Sequence, residues 1–104
     1  MREDRAANGL SALGNRTRLR LFRLLVRAGE AGMNVGEIQA LVEVPASTLA
    51  HHLATLARSG LAIQERRGRE VITRADYRTM HALMDYLTEE CCTGVHISHN
   101  ADAA

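Results

Sequence analysis

The stretch from Val44 to Arg74 constrains the fold more than any other part of the chain. Its first half contains Leu49, Leu53 and Leu56, which recur at intervals of four and three residues, the period of one helical face. A Ser-Gly pair ends that pattern. Residues 61–66 then alternate like a strand before a basic turn that contains Gly68, and residues 71–73 can pair back on them. We therefore predict an amphipathic helix followed directly by a β-hairpin.

The residues before this stretch predict three further helices. A first helix gathers four apolar residues on one side, Ala6, Ala7, Leu10 and Leu13. Leucines at helical spacing predict a second helix over residues 16–28, which Gly29 ends. Asn34 and Glu37 stand three residues apart, the form of a capping box, and predict a short third helix. The third helix, a tight turn at Pro45 and the leucine helix then form a helix-turn-helix.

A last helix is predicted over residues 76–91, behind the hairpin. Its apolar residues repeat at three and four, the spacing of two helices packed along a seam, and are Tyr77, Met80, Met84, Leu87 and Cys91. One Phe, two Tyr and no Trp leave this chain of 104 residues a lean core, so a homodimer is expected. The predicted fold is mainly α with a small β-hairpin, a winged helix-turn-helix over residues 1–92 with a flexible tail over residues 93–104.

The distribution of charge indicates a DNA-binding face. The net charge is only +1, but all thirteen basic residues are Arg and none lies beyond Arg78. The hairpin tip offers three arginines as phosphate contacts, and the helix before it turns four polar residues outward toward phosphates or base edges. These candidate DNA-binding residues are Ser47, Thr48, His51, Thr55, Arg66, Arg67 and Arg69. A winged-helix module that binds another protein instead of DNA is the alternative.

Other classes of protein receive little support from the sequence. The chain has no apolar run long enough to cross a bilayer and no signal peptide, so we expect a cytoplasmic protein without membrane contact. His51 and His52 have no evident nucleophile or carboxylate partner, and there is no Gly-rich phosphate loop. We therefore predict that the protein is not an enzyme and has no obligatory cofactor.

Three pieces of the chain together resemble the ArsR/SmtB family of small bacterial winged-helix repressors. They are residues 10–19 (LSALGNRTRL), residues 47–53 (STLAHHL), and Gly60-Leu61 with the arginine turn of residues 66–69, and the resemblance covers roughly residues 10–92. It implies a homodimer that joins through its first and last helices, represses transcription at a double-stranded DNA operator and leaves the operator when an inducer binds. Residues 87–92 (LTEECC) further resemble arsenic-responsive members with a vicinal cysteine pair at the end of the last helix.

Cys91 and Cys92 are the candidate inducer ligands. Adjacent cysteines close a strained ring when oxidised together, so in a reducing cytosol free thiols or metal ligands are expected. Thiolates bind soft centres, and trivalent arsenic or antimony fits that class. A third donor could be water, hydroxide, histidine or the partner subunit, whereas an organoarsenical brings a carbon substituent and needs only two thiolates.

Two alternative signals fit the same cysteines. Zinc could use Cys91 and Cys92 with the additional ligands His96 and His99, which would supply two sulfurs and two nitrogens. Thiol oxidation is the other alternative, although it needs a lowered thiolate pKa and the neighbouring carboxylates oppose that. The simplest structural role for the pair is packing in the dimer seam, which accounts for Cys91 better than for Cys92.

Overall fold

The computed structural model describes residues 1–97, which form five helices and one three-stranded antiparallel sheet. The helices are α1 (Glu3–Leu13), α2 (Arg16–Ala28), α3 (Val35–Leu41), α4 (Ala46–Arg58) and α5 (Tyr77–Thr88). The strands are β1 (Met33–Asn34), β2 (Ala62–Arg67) and β3 (Glu70–Ala75). Within the described residues, no helix is both long and apolar enough to span a membrane.

The core is built under one face of α4. Leu49, Leu53 and Leu56 are at most 1% exposed, and they pack with buried residues of α2, α3 and β2. Burying each such side chain contributes roughly 1.5–3 kcal/mol relative to leaving it exposed. Because the leucines fix which side of α4 faces inward, they also fix the side that faces solvent. The predicted leucine face is confirmed.

Asparagine side chains set the starts of α2 and α3. The Asn15 side chain accepts a hydrogen bond from the backbone N–H of Arg18 at 3.0 Å. At α3, Asn34 Oδ1 accepts from the N–H of Glu37 at 2.8 Å, and the Glu37 carboxylate accepts from the N–H of Asn34 at 2.9 Å. The predicted capping box is therefore confirmed, and it fixes where the helix-turn-helix begins.

The sheet has a strand that the sequence did not predict. The prediction was a two-stranded hairpin, but β1 adds a third strand by pairing Met33 with Thr73 and Asn34 with Ile72 of β3. A strand of two residues is too short to show an alternating pattern, and its partner lies far along the chain. Since β1 directly precedes α3, this pairing ties the hairpin to the helix-turn-helix.

Helix α5 is shorter than predicted. It ends at Thr88 rather than at Cys91, and the hydroxyl of Thr88 donates to the carbonyl of Met84 at 3.1 Å. Cys91 and Cys92 therefore follow the helix in a turn, and the expected place of Cys91 on the seam is wrong.

Apolar surface is left uncovered on four helices, and Leu41 at the end of α3 is 64% exposed. In α1 the buried residues are Ala6, Gly9 and Ala12, whereas Leu10 is 42% exposed. The other large exposed apolar side chains of the helices include Leu19 in α2 and Met84 and Leu87 in α5. Uncovered apolar surface of this kind is typical of a surface that another molecule covers.

Candidate nucleic-acid interface and cysteine pair

The outward face of α4 carries the four predicted polar residues. Ser47, Thr48 and His51 are exposed, whereas Thr55 is half-buried. The hydroxyl of Thr55 donates to the carbonyl of His51 at 3.0 Å and accepts from Arg58 Nη2 at 3.2 Å. Thr55 is therefore engaged within the helix, and the first two turns of α4 offer the freer side chains.

The N-terminus of α4 is open to an anion. Pro45 occupies the N-cap position, and no side chain caps this end of the helix. The first backbone N–H groups of a helix have no partner within it, and they carry the positive end of the helix dipole. A DNA phosphate at this end would accept hydrogen bonds from them. Ser47 and Thr48 lie on the same turn, so bases and backbone could be contacted together.

The hairpin brings three arginines to one exposed tip. Strand pairing runs up to Arg67 and Glu70, which leaves Gly68 and Arg69 as the turn. Gly68 has φ of 65°, while Arg69 is not among the positive-φ residues of 1–97. A positive φ at the first turn residue alone is the pattern of a type II′ turn. Arg66, Arg67 and Arg69 are all exposed, as predicted for residues that would contact phosphate.

Ion pairs distinguish these three arginines from one another. Arg67 Nη2 lies 3.0 Å from Glu65 Oε1, and the same carboxylate oxygen lies 3.8 Å from Arg74 Nε. Within residues 1–97, Arg66 and Arg69 form no ion pair. An exposed pair of this kind is worth at most about 1 kcal/mol, so a phosphate could displace Glu65. Arg66 and Arg69 nevertheless carry the freer guanidinium groups, a difference that the sequence alone did not provide.

His52 belongs to the body of the domain rather than to its outward face. It is half-buried, and its Nδ1 lies 3.4 Å from Arg18 Nη1. Arg18 Nε in turn donates to the carbonyl of Ala12 at 2.7 Å, so one guanidinium joins α1, α2 and α4. Desolvation, followed by repulsion from Arg18 and His51, lowers the pKa of His52 and favours its neutral form. Sequence reasoning missed Arg18, because only packing brings it to α4.

The cysteine pair lies on the surface just after α5. Both cysteines are exposed, and their Sγ atoms are 2.9 Å apart. Cys92 has φ of 65°, and it is the only non-glycine residue of 1–97 in the left-handed region. Two adjacent sulfurs on one side of a turn can bind one soft centre together. A hydrogen bond with Cys92, with a smaller effect of desolvation, raises the pKa of Cys91, so binding would release protons.

The described residues supply two donors to this site. In residues 1–97 no three His, Cys, Asp or Glu side chains are grouped so that they could hold a metal ion. His96 is exposed, and His99 lies outside the described residues. A third ligand, if the bound centre needs one, would have to come from solvent, from beyond residue 97 or from a second chain.

Comparison with known proteins supports the fold and the family. Residues 13–65, just over half of the chain, match a family model described as a helix-turn-helix domain. No curated protein matches the chain. An ArsR-like transcriptional regulator from Rhodococcus sp. RHA1 has a similar structure, with a TM-score of 0.73 and 24% identity over 83% of this chain and 78% of its own.

HlyU from Vibrio cholerae N16961 also has a similar structure. Its TM-score is 0.67, with 26% identity over 88% of this chain and 99% of its own. A structure of reduced HlyU from the same organism has a TM-score of 0.61 and 25% identity, over 86% of this chain and 90% of its own. The chain therefore belongs to the helix-turn-helix domain family, and it has the winged helix-turn-helix fold of ArsR-like transcriptional regulators.

Proposed function

We propose that the protein is a DNA-binding transcriptional repressor of the ArsR type that an inducer releases from its operator. The observation that carries this proposal is the open N-terminus and polar outer face of α4 beside an arginine-tipped hairpin. The matching family and fold are those of regulators rather than enzymes, which favours DNA as the ligand of this face.

The proposed repressor is a homodimer. Leu10 of α1 and Met84 and Leu87 of α5 are 42%, 54% and 59% exposed, and a second copy would cover them through the first and last helices. A twofold dimer would place its two α4 helices in successive major grooves, about 34 Å apart. The operator is then a near-palindrome.

Salt dependence of DNA affinity tests the hairpin. Fluorescence anisotropy with DNA from the promoter region would give the affinity of the unmodified protein over a range of salt concentrations. Each lost phosphate contact lowers the slope of log affinity against log salt by about 1, so Arg66→Gln and Arg69→Gln should each do so. Arg67→Gln should have a smaller effect, since Glu65 already neutralises part of its charge.

The matched control is Arg2→Gln, which removes an exposed arginine that pairs with Asp4 outside the hairpin. Its salt slope should equal that of the unmodified protein. Unchanged slopes in both Arg66→Gln and Arg69→Gln would exclude the hairpin from DNA contact. Failure of the unmodified protein to bind any promoter DNA would refute the repressor function and favour a protein-binding winged helix.

For the inducer, we propose a thiophilic centre bound by Cys91 and Cys92. Their sulfurs are exposed and 2.9 Å apart, which suits two bonds to a single soft atom such as trivalent arsenic or antimony. An organoarsenical would need only these two donors. Inorganic arsenite or antimonite would add a third from water, hydroxide, a histidine or the partner subunit.

The position of the pair links it to the proposed dimer surface. The cysteines begin three residues after α5 ends at Thr88, and the last turn of α5 carries the exposed Leu87. A ligand bonded to both sulfurs would constrain the turn after α5, reorient the end of α5 and hence change the angle between the two α4 helices. A coupling of about 1–3 kcal/mol, typical of allosteric pairs, is sufficient for release from DNA.

A ligand titration tests the cysteine site. The reduced protein–DNA complex is titrated with arsenite, antimonite, methylarsenite or zinc, and release is followed by anisotropy. We expect release by an arsenical or by antimonite, and we expect Cys91→Ser and Cys92→Ser to bind DNA normally but resist release. The unchanged DNA affinity of these variants is the internal control. Normal release from either variant would remove that cysteine from the sensor.

Redox regulation is a second candidate, favoured by the contact between the two sulfurs. Oxidation by diamide would transfer two protons and two electrons from the two thiols to diamide, which becomes a hydrazine, and would close a disulfide between Cys91 and Cys92. In that case diamide would release the DNA, dithiothreitol would restore binding, and arsenicals would compete with oxidation. Release by zinc alone would instead identify the metal-responsive alternative.

A further inference from the structure

A polar cavity of about 250 Å³ lies between α1, α2 and α4, away from the cysteine pair. Six polar residues line it, and they are Asn8, Ser11, Arg18, Thr55, Arg58 and Ser59. They bring two guanidinium groups, three hydroxyls and one amide, and none of the residues that line the cavity is acidic. The lining is therefore rich in hydrogen-bond donors and carries two positive charges.

The two arginines in the cavity retain unused donors. Arg18 is held in place by the carbonyl of Ala12 and by His52, which engage Nε and Nη1. Arg58 donates from Nη2 to the hydroxyl of Thr55. Within residues 1–97 neither arginine forms an ion pair with a carboxylate. Since a guanidinium carries five N–H donors, each can still donate to an oxyanion.

A third guanidinium lies near the edge of this site. Arg5 Nη2 is 3.2 Å from the position that a Cβ atom would take on Gly60, the residue that follows Ser59. Arg58 in the last turn of α4 and Arg5 of α1 thus lie at the C-terminal end of α4, while Arg18 of α2 contacts the middle of that helix at His52. Helix C-termini favour cations, which helps to hold these charges there without an acidic partner.

We propose that this cavity binds the phosphate group of an anionic ligand. Planar guanidinium groups match phosphate oxygens, and Arg18 is already oriented by its bonds to the domain. The volume is far larger than the roughly 10–15 Å³ that a cavity needs to hold one water, so a phosphate group fits with some hydration. The cavity lies apart from the hairpin and the cysteines, and the DNA source of the phosphate rests on the proposed function, whereas the free-phosphate source does not.

Two sources of phosphate share this chemistry. One is free inorganic phosphate or a small phosphate ester, and the other is the DNA backbone. Thr55 belongs both to the outward face of α4 and to the cavity. It follows Ser47 by eight residues, a rise of about 12 Å along the helix, which is comparable to the width of the major groove. A backbone phosphate beside the groove could therefore reach the cavity.

The first arm of the test uses the DNA-free protein. Isothermal titration calorimetry with inorganic phosphate, at constant ionic strength in sulfate-free buffer, should show saturable binding if the source is free phosphate. Arg58→Gln should weaken that binding at least tenfold, since one charge-assisted contact is worth about 1.5–3 kcal/mol. Arg2→Gln, which removes an exposed arginine that does not line the cavity, is the control that should leave it unchanged. Arg18→Gln is a second probe, and circular dichroism would show whether it folds.

The second arm measures the salt dependence of DNA binding for Arg58→Gln. A slope reduced by about 1, without saturable binding of free phosphate, assigns the cavity to a DNA phosphate. Saturable phosphate binding that Arg58→Gln leaves intact would overturn the proposal, and so would an unchanged salt slope together with no phosphate binding. If the unmodified protein binds no DNA, the proposed repressor function fails. The calorimetric titration with phosphate then tests by itself whether the cavity binds phosphate.

Discussion

Replacing Gly32 with alanine should loosen the attachment of the hairpin to the helix-turn-helix. Gly32 has φ of 68° and directly precedes β1, the strand that pairs with β3. A Cβ atom at this position would lie 2.7 Å from both Ile72 Cγ2 and the carbonyl oxygen of Thr73. Both atoms belong to β3, and one is backbone, so the substitution must displace the strand.

The magnitude follows from two separate costs. A left-handed φ costs an alanine about 1–2 kcal/mol. Forcing an extra carbon into a packed site typically costs a further 1–3 kcal/mol or so. A gain of about 0.4–1 kcal/mol from the smaller entropy of the unfolded chain offsets part of this. Gly32→Ala should therefore lower the free energy of unfolding by roughly 2–4 kcal/mol.

Gly68→Ala is the matched control. Gly68 has nearly the same φ, 65°, but nothing lies within 4 Å of its Cβ position. It should show the backbone strain without the clash. Urea unfolding of both variants at one fixed protein concentration, followed by circular dichroism, measures the difference. If Gly32→Ala were no less stable than Gly68→Ala, the close approach of Gly32 to β3 would not limit stability.

Two further predictions concern a helix cap and a histidine. Asn34→Ala removes the capping box and should lower the free energy of unfolding in urea by about 1 kcal/mol. Asn8→Ala, in the body of α1, is the comparison, and an equal loss of stability in the two variants would contradict the cap. Because the folded pKa of His52 is below its ordinary 6.5, its stabilising contribution is complete above pH 6.5 and is lost as the pH falls through the lower folded value. The free energy of unfolding, measured above and below pH 6.5, should therefore fall on the acid side. It should fall less steeply in His52→Gln than in the unmodified protein, and identical slopes in the two would refute the lowered pKa.

The helices were the most predictable part of the fold. The bounds of α2 and the leucine face of α4 follow from local periodicity and from capping residues that act within one turn. The end of α5 was less predictable, because the apolar repeat continues to Cys91 although the helix stops at Thr88. The strand β1 depends on pairing with β3 nearly forty residues away, and so no local pattern indicates it.

The candidate site was predictable in its residue types but not in its contacts. The exposed polar face of α4 and the exposed arginine tip follow from alternation and spacing. The pairing of Arg67 with Glu65 could have been anticipated, because residues two apart share one face of a strand. The contact of Arg18 with His52 joins residues from different helices, and only the packed structure reveals it.

The surface position of the cysteine pair has a consequence for how such regulators diversify. Leu83 is the last buried residue of the described chain, so the segment that follows α5 adds little to the core. Substitutions in exposed segments usually change stability by no more than about 0.5 kcal/mol. Selection, or a protein engineer, could therefore exchange the residues of this segment, including the two cysteines proposed as inducer ligands, while leaving the winged helix-turn-helix scaffold intact.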